Sequence, residues 1–322
     1  MSKKIIITPD QLAQSATKYR KELLMMAVIA LEASLKHMSV RTGIRGKEIV
    51  GELSGSLEIG PYDPNRTDTD GAKIVGRELE TFLGSVIKKL DPNSVANSIY
   101  GSSILLGEGL KNVDIAKQVV AYFAKLASQS LNKNLWKAKR NASGTTTAEL
   151  FNGFDTITTN EIADAKITTA LRNLYEFTET ITSNNAVDLL KAYYRASAHE
   201  LQGQQTKLFI PFDVYNAYVD DYQQTVGPVL YNQKFEQIYL EGSANQCELV
   251  PLSNKTGTPF LHLTTKGNML VGVNQTGEEE KISVEKHHAF LLDFVMALFF
   301  GTQFESISPE RLLVGKLFVP AP

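Results

Sequence analysis

Cysteine is nearly absent from this sequence of 322 residues, which contains only Cys247. A single thiol cannot form an internal disulfide, and a zinc site built from thiolates needs several of them. Such scarcity is typical of proteins in a reducing compartment. Cys247 lies in the run 246–250, which we interpret as a strand that buries the thiol as a small apolar group.

Long apolar runs and strong net charge are also missing. The longest apolar run, 289–300, is interrupted by Asp293 and is shorter than the about 20 residues of a membrane-spanning helix. The first residues lack the apolar stretch of a signal peptide, so we expect a soluble, intracellular protein with no membrane contact. The net charge of -2 gives the chain as a whole no field that would attract nucleic acid.

No spacing of reactive residues is typical of a catalytic or metal site. The stretch 68–71 resembles part of a calcium loop, but Arg66 and Arg77 stand where that loop needs carboxylates. His287 and His288 would point to opposite faces of a strand and would not share a metal ion. We therefore expect no catalytic residue, no cofactor and no metal, and interpret the chain as a non-enzyme.

A helix, a strand and a second helix are predicted between residues 183 and 224. Apolar residues at steps of three and four indicate one continuous helix that begins at Asn184 or Asn185 and ends at Gly203. The run 208–212 is typical of a buried strand, and its proline, which has no N–H, should lie at an edge or at the strand end. The helix 213–224 follows directly.

Two further helices are indicated by the same spacing. The first opens at Thr8 and Pro9, is strongly apolar over 23–31, and has no nearby segment to cover it, so we expect a neighbouring subunit there. The second, over 112–136, is the clearest helix of the chain. Its predicted apolar stripe consists of Ile115, Val119, Phe123, Leu126 and Ser130.

Residues 43–93 are rich in glycine and have short alternating segments on both sides of a polar tip at 63–71. Alternation around such a tip predicts a long two-stranded hairpin, in which we include Phe82, Gly84 and Val86. An isolated two-stranded hairpin is at best marginally stable in water. We therefore expect this hairpin to lie on another protein.

The C-terminal part is predicted to be mostly β. The runs 260–263 and 269–273 are joined by Lys266, Gly267 and Asn268, which indicates a hairpin. The run 287–300 is a candidate long strand. Helices and strands in this order favour an α+β fold over regular βαβ repeats.

In their order and lengths, these segments resemble the major capsid proteins of tailed phages of the Hong Kong 97 type. The hairpin resembles the extended loop of that family, and the helix 112–135 resembles its long spine helix. The segments 150–157, 186–202, 207–212, 227–231, 267–273 and 304–309 follow in the family's order.

The resemblance implies a capsid fold in four parts. These are an N-terminal arm and helix (1–42), an extended hairpin loop (43–93), a peripheral domain with the spine helix (94–206 and 286–322) and an inserted axial domain (207–285).

The resemblance also implies a structural role. Copies of the chain would form the hexamers and pentamers of an icosahedral phage or prophage head, assembled in the host bacterial cytoplasm, and their inner face would contact packaged DNA non-specifically. Scaffolding, if needed, would be a separate protein, and a portal is a further expected partner.

Charged residues of the hairpin are our predicted intersubunit contacts, since paired charges across an interface set its register. They are Glu58, Arg66, Asp68, Asp70, Lys73, Arg77 and Glu78. Two alternatives stay open at this point: the shell of an encapsulin-like compartment, and a soluble α+β enzyme whose site leaves no local motif.

Overall fold

The computed structural model describes residues 32–54, 62, 73–90, 115–226, 238–274, 281–288 and 291–319. Its helices are α1 (Glu32–Leu35), α2 (Ile115–Asn134), α3 (Phe154–Ala163), α4 (Ala186–Arg195), α5 (His199–Gln202) and α6 (Phe212–Val226). Its strands are β1 (Ser39–Thr42), β2 (Lys47–Ser54), β3 (Lys73–Glu80), β4 (Phe82–Leu90), β5 (Leu174–Glu176), β6 (Thr206–Pro211), β7 (Cys247–Leu252), β8 (Phe260–Thr264), β9 (Met269–Asn274), β10 (Lys281–His288), β11 (Leu291–Phe304) and β12 (Leu312–Lys316). The mixed α+β class predicted from the sequence is confirmed.

The first sheet is built around the long strand β11. Strands β9 and β10 pair antiparallel with one edge of β11, β4 pairs antiparallel with the other edge, and β1 runs parallel to β9. The sequence prediction placed Phe82, Gly84 and Val86 in the hairpin, but they belong to β4 and therefore to this sheet. The predicted strand 287–300 was also wrong in its bounds, because residues up to His288 form β10 and the long strand runs from Leu291 to Phe304.

The second sheet has the strand order β5-β12-β8-β6-β7 and is buried on both faces. Alternate side chains of one strand point to opposite faces. Phe209 of β6 and Val314 of β12 thus join one core cluster, while Leu208 and Leu313 join a second cluster on the other face. Continuous apolar runs such as 208–211 are the sequence form of a strand buried on both sides.

Helices α4 and α6 cover the second cluster. The Tyr193 hydroxyl donates to the carbonyl of Leu313 at 2.6 Å, which joins α4 to β12, the strand next to the edge strand β5. The amide of Val187 donates to the Asp221 carboxylate at 2.7 Å and so ties the start of α4 to α6.

Burial raises the pKa of the Cys247 thiol to about 12, so the predicted buried cysteine is confirmed as a neutral packing group.

The helix predicted to run from Asn184 or Asn185 to Gly203 is two helices, α4 and α5, with Asn185 at the N-cap and Gly203 at the C-cap. The chain becomes extended at Ala198. Side chains replace the lost helical hydrogen bonds: the Ser197 hydroxyl donates to the carbonyl of Tyr194, and the Gln202 amide donates to the carbonyl of Ser197. The strand with proline at its end and the following helix are confirmed.

The predicted hairpin of 260–263 and 269–273 was wrong. Both runs are strands, but β8 pairs with β6 and β12, whereas β9 pairs with β1 and β11. The turn at Lys266–Asn268 carries the chain from one sheet to the other. The Asn268 amide fixes this turn by donating to the Thr264 hydroxyl and to the carbonyl of Ser306.

Helices α2 and α3 meet end to end. Free amides at the start of a helix need acceptors, and here the amides of Gly153 and Asp155 donate to the carbonyls of Ala138 and Trp136 at 2.8 and 3.0 Å. A Cβ on Gly153 would lie 2.4 Å from the Trp136 carbonyl oxygen, so only glycine permits this approach. The fully buried Trp136 thereby becomes the centre of the first core cluster.

The hairpin formed by β2 and β3 joins the first sheet where two glycines pair. Gly272 of β9 lies opposite Gly301 of β11. A Cβ on Gly301 would lie 2.0 Å from the carbonyl oxygen of Glu80, and a Cβ on Gly272 would lie 2.7 Å from the Thr81 methyl group. The glycine pair therefore leaves the space in which the chain crosses the sheet between β3 and β4.

We predict that Gly301→Ala lowers the free energy of unfolding by at least about 2 kcal/mol, because the added methyl group meets backbone atoms that cannot move aside. Urea unfolding followed by circular dichroism measures the change. Gly267→Ala is the matched control: its Cβ would meet nothing within 4 Å, and we expect a change below about 0.5 kcal/mol. Equal stability of the two variants would contradict this account of the crossing.

Candidate assembly surface

The hairpin of β2 and β3 is antiparallel from Lys47 opposite Glu80, at its base, to Ser54 opposite Lys73. Within the described part of the chain, neither strand pairs with a third. Ile49 is 78% exposed, although a side chain of this kind is normally covered. This confirms the predicted pair of strands in its base, over 47–54 and 73–80.

A small apolar cluster holds the base of the hairpin. Val50 of β2 and Leu79 of β3 pack with Ile44 and Leu270. The Thr81 hydroxyl donates to the carbonyl of Ile44 at 3.1 Å. The base of the hairpin is therefore packed into the subunit, although β2 and β3 form a separate two-stranded sheet.

Arg77 is the main polar anchor of β3. Its Nη2 lies 2.6 Å from Glu161 Oε1 on α3, and its Nε donates to the carbonyl of Phe304 at 3.1 Å. The Arg77 and Glu161 side chains are only 10% and 13% exposed. A paired, hydrogen-bonded charge of this kind fixes geometry, and here it fixes β3 against the end of β11.

Glu78, the next residue, points to the other side. Its carboxylate accepts from Lys47 Nζ at 2.8 Å across the hairpin, and both side chains are largely exposed. The hydrogen bond to Glu78 and the negative charges of Glu78 and Glu80 raise the pKa of Lys47 above its ordinary value. An exposed pair of this kind adds little stability.

The seven predicted contact residues fall into three groups. Glu58, Arg66, Asp68 and Asp70 lie outside the described residues, and Lys73 opens β3, where its backbone pairs with Ser54. Arg77 and Glu78 bind partners in their own chain, so the anchoring role of Arg77 is one that the sequence prediction missed. The contacts of all seven with a neighbouring subunit stay a prediction.

The partners of Arg77 were also missed. Glu161 and Gln303 are separated from Arg77 by 84 and 226 residues in the sequence. No local spacing links positions so far apart. Only the packing of α3 and the end of β11 beneath the hairpin brings these side chains together.

A groove of about 670 Å³ lies between α2, β4 and the loop 140–150, with β11 as its floor. Phe294, Met296 and Leu298 alternate along β11 and face this groove. Phe123 of α2 stacks on Phe294 with ring centroids 5.1 Å apart. The floor of the groove and its α2 side are therefore largely apolar, while Lys88, Arg140 and Glu149 add charged groups at its rim.

Of the predicted apolar stripe of α2, Phe123, Leu126 and Ser130 line this groove, whereas the side chains of Ile115 and Val119 are outside those that the structure describes. Leu126 is 41% exposed, whereas the buried side of the helix consists of Ala124, Ser128, Leu131 and Leu135. Periodicity identified this stripe but could not say whether the subunit's own core covers it, because α2 carries apolar residues on both sides. Leu83 and Val86 of β4 are also exposed at the groove.

The loop beside the groove is held by Glu149. Its carboxylate accepts from the Thr146 hydroxyl at 2.7 Å and from the amides of Thr145 and Thr146. The hydrogen bond from the Thr146 hydroxyl is the main cause of a lowered pKa of Glu149. Arg140 from the same loop lies over the Phe82 ring at 4.4 Å, so one wall of the groove has a fixed shape.

The described ranges contain neither a membrane-spanning helix nor a cluster of metal ligands. No helix there is both long enough and apolar enough to cross a bilayer. Those same residues include no group of three His, Cys, Asp or Glu side chains placed to hold a metal ion.

No model of a known protein family and no curated protein matches the sequence. Solved structures do match. A chain of the satellite phage P4 procapsid, a structure that includes the size determination (Sid) protein, has a TM-score of 0.56 at 10% identity over 89% of this chain and 96% of its own. The chain has the fold of a capsid subunit.

Two further capsids support this assignment. The capsid of a native GTA particle gives a TM-score of 0.57 at 10% identity over 91% of both chains. The capsid of cyanophage A-1(L) gives 0.54 at 14% identity over 92% of this chain and 93% of its own. The capsid fold implied by the sequence resemblance is confirmed, and identities this low establish the fold alone.

Replacing the anchor of the hairpin should cost stability. We predict that Arg77→Met lowers the free energy of unfolding by about 3 kcal/mol, because it leaves the nearly buried Glu161 carboxylate without its main partner. A second replacement, Glu161→Gln, should recover part of the loss. Denaturant unfolding of the three proteins measures both effects.

Lys47→Met is the control for this prediction, since it removes an exposed cation from the same hairpin. We expect its unfolding midpoint to stay close to that of the wild type. If Arg77→Met and Lys47→Met unfolded at the same denaturant concentration, Arg77 would not be an anchor.

Proposed function

We propose that this protein is a major capsid subunit that assembles into the icosahedral head of a tailed phage or prophage. The observation that carries the proposal is the match to capsid chains over about nine-tenths of both lengths. The apolar groove and the hairpin that leaves its own core support it, because both have surface that a second copy would cover. Closed symmetric shells need such repeated intersubunit surfaces.

In this proposal, the parts of the chain take the roles that the resemblance implied. Residues 43–80 form the extended loop, α2 is the spine helix, and the first sheet belongs to the peripheral domain. The second sheet, with α4 and α6, forms the axial domain. We draw the boundary between the axial and peripheral domains by sheet membership and not at residues 207–285. Strands β9 and β10 then belong to the peripheral domain, because they pair with β11. Strands β5 and β12 belong to the axial domain, because they lie in the second sheet.

The hairpin and the groove are the proposed contacts between subunits. Val50 and Leu79 hold the base of the hairpin, which leaves the segment 55–72 and exposed side chains such as Ile49 for a neighbour. The charged residues of that segment would set the register of the contact. The groove beside α2 offers apolar surface to another copy.

The remaining partners follow from the role of a head subunit. The shell would enclose DNA, with non-specific contact at its inner face, and a portal and a separate scaffolding protein would join the assembly. The protein would be part of the virion and would carry out no catalysis. Its non-enzymatic role agrees with the structural nature of the capsids that share its fold.

The direct test of this function is assembly of the purified protein. We expect size-exclusion chromatography to show hexamers, pentamers or larger particles, and negative-stain electron microscopy to show closed shells. Co-expression with proteins encoded beside its gene supplies a scaffold if one is required. A protein that stays monomeric at every concentration, with those proteins present, would contradict the proposal.

The hairpin is tested by shortening it. Ser54 and Lys73 are paired residues, so an Asn-Gly turn between them replaces residues 55–72 and leaves the base of the hairpin intact. We predict a folded subunit, by circular dichroism and thermal melting, that forms no shells in electron microscopy. Normal shells from the shortened protein would refute the intersubunit role of this segment.

A second variant tests the charges of the segment 55–72 while keeping its length. It keeps the segment but carries Glu58→Gln, Arg66→Gln, Asp68→Asn and Asp70→Asn. We expect fewer closed shells than from the wild type, because the contact loses the charges that set its register. Assembly equal to the wild type would exclude these four residues as determinants while leaving the role of the hairpin itself to the shortened protein.

A further inference from the structure

A group of polar side chains lies in the most deeply buried part of the subunit, between the two sheets. Lys255 comes from the turn after β7, Asp155 from the first turn of α3, and His262 from β8. The Lys255 and His262 side chains are fully buried, and Asp155 is nearly so. Trp136 covers the group, and the capsid role proposed above makes no use of it.

Lys255 Nζ is held on three sides. It lies 3.1 Å from Asp155 Oδ1, 3.1 Å from His262 Nδ1 and 3.7 Å from the centroid of the Trp136 ring. These contacts remove the rotational freedom of the amine. They place its nitrogen in hydrogen-bond contact with the Asp155 carboxyl, which is the arrangement that promotes reaction between two groups.

The carboxyl of Asp155 is only half used. Its Oδ1 contacts Lys255, whereas its Oδ2 has no hydrogen bond of acceptable geometry among the described residues, although the nearby Thr258 hydroxyl helps to lower the pKa of the carboxyl. A buried carboxylate oxygen without a partner is costly. A chemical change that removes the charge of this group would remove that cost.

His262 is placed to accept a proton. Its Nε2 lies 2.9 Å from the Thr158 hydroxyl, and its Nδ1 faces Lys255. With the ring proton on Nε2, Nδ1 carries a lone pair directed at the amine. Burial, reinforced by the positive charge of Lys255, holds the pKa of His262 well below its ordinary value, so the ring is neutral and available as a base.

Burial also favours the uncharged forms of the other two groups. It raises the pKa of the Asp155 carboxyl above its ordinary value and lowers the pKa of Lys255 to about 8. The Asp155–Lys255 attraction opposes both shifts without cancelling either. Transfer of one proton along the 3.1 Å hydrogen bond converts the ion pair into a free amine beside a carboxylic acid.

We propose that Lys255 Nζ and the Asp155 carboxyl join in an isopeptide bond inside the folded subunit. The amine lone pair attacks Cγ of Asp155 and forms the C–N bond, while His262 Nδ1 takes the proton that the nitrogen loses. That proton passes to the departing hydroxyl as the C–O bond breaks. One water molecule leaves, and no oxidant or other reactant is required.

The surroundings favour the amide over the ion pair. Trp136, Phe154, Phe209, Phe260 and Phe304 belong to the cluster that encloses the group. In such a site an ion pair bears a desolvation cost that a neutral amide avoids. The amide also links α3, which packs on β11, to a turn 100 residues away that follows β7 of the second sheet.

Mass spectrometry of the full-length protein tests the proposal. We expect an intact mass lower than that of the sequence by one water molecule. Trypsin should release one branched product that joins the peptides 141–166 and 235–266, because acylated Lys255 is no longer a cleavage site. An unchanged mass in folded, purified protein would overturn the proposal, and so would a loss of water with separate peptides.

Three variants make the assignment specific. Lys255→Met should restore the full mass, and Asp155→Asn should form the same amide with loss of ammonia in place of water. His262→Gln should slow bond formation by roughly 100-fold, measured as the branched fraction over time after purification. Unchanged bond formation in Lys255→Met would exclude Lys255 as the nucleophile, and an unchanged rate in His262→Gln would exclude His262 as the base.

Discussion

The close approach of the chain at Glu80 and Thr81 to the paired glycines Gly272 and Gly301 is the constraint on which the outer part of this subunit depends. Two side chains there would hold the crossing away from the sheet. Because they are absent, Leu79 reaches its apolar cluster, Thr81 bonds to Ile44, and Arg77 reaches Glu161. The placement of the hairpin base against the first sheet follows from these contacts.

The interior of the subunit is closely packed, but several large apolar side chains on its surface are exposed. Trp136 and Phe209 are fully buried in a core that packs against both sheets. By contrast, Ile49 on the hairpin and Leu126 above the groove remain exposed, although the same apolar effect would favour their burial. A subunit built in this way has a well-packed core of its own and apolar surface that the described chain does not cover.

The sequence predicted the elements that depend on local pattern. The helices α2 (as far as it is described) and α6, the strand ending at Pro211 and the buried Cys247 follow from periodicity and from the chemistry of single residues. The sequence did not predict the features that depend on contacts between residues far apart in the chain. The turn at Lys266–Asn268 is typical of a hairpin but changes sheets, and nothing near Arg77 in the sequence points to Glu161. The order of the elements still predicted the capsid fold, because order and length are preserved where identity is 10% to 14%.

We infer that other copies of the chain cover the exposed apolar residues of the hairpin and the groove. Cryo-electron microscopy of assembled particles, at a resolution that traces each subunit, tests this most directly. The account predicts that the hairpin of one subunit lies on a neighbour and that chain from another copy covers the groove beside α2. Particles in which the hairpin folds back onto its own subunit, with the groove open to solvent, would contradict it.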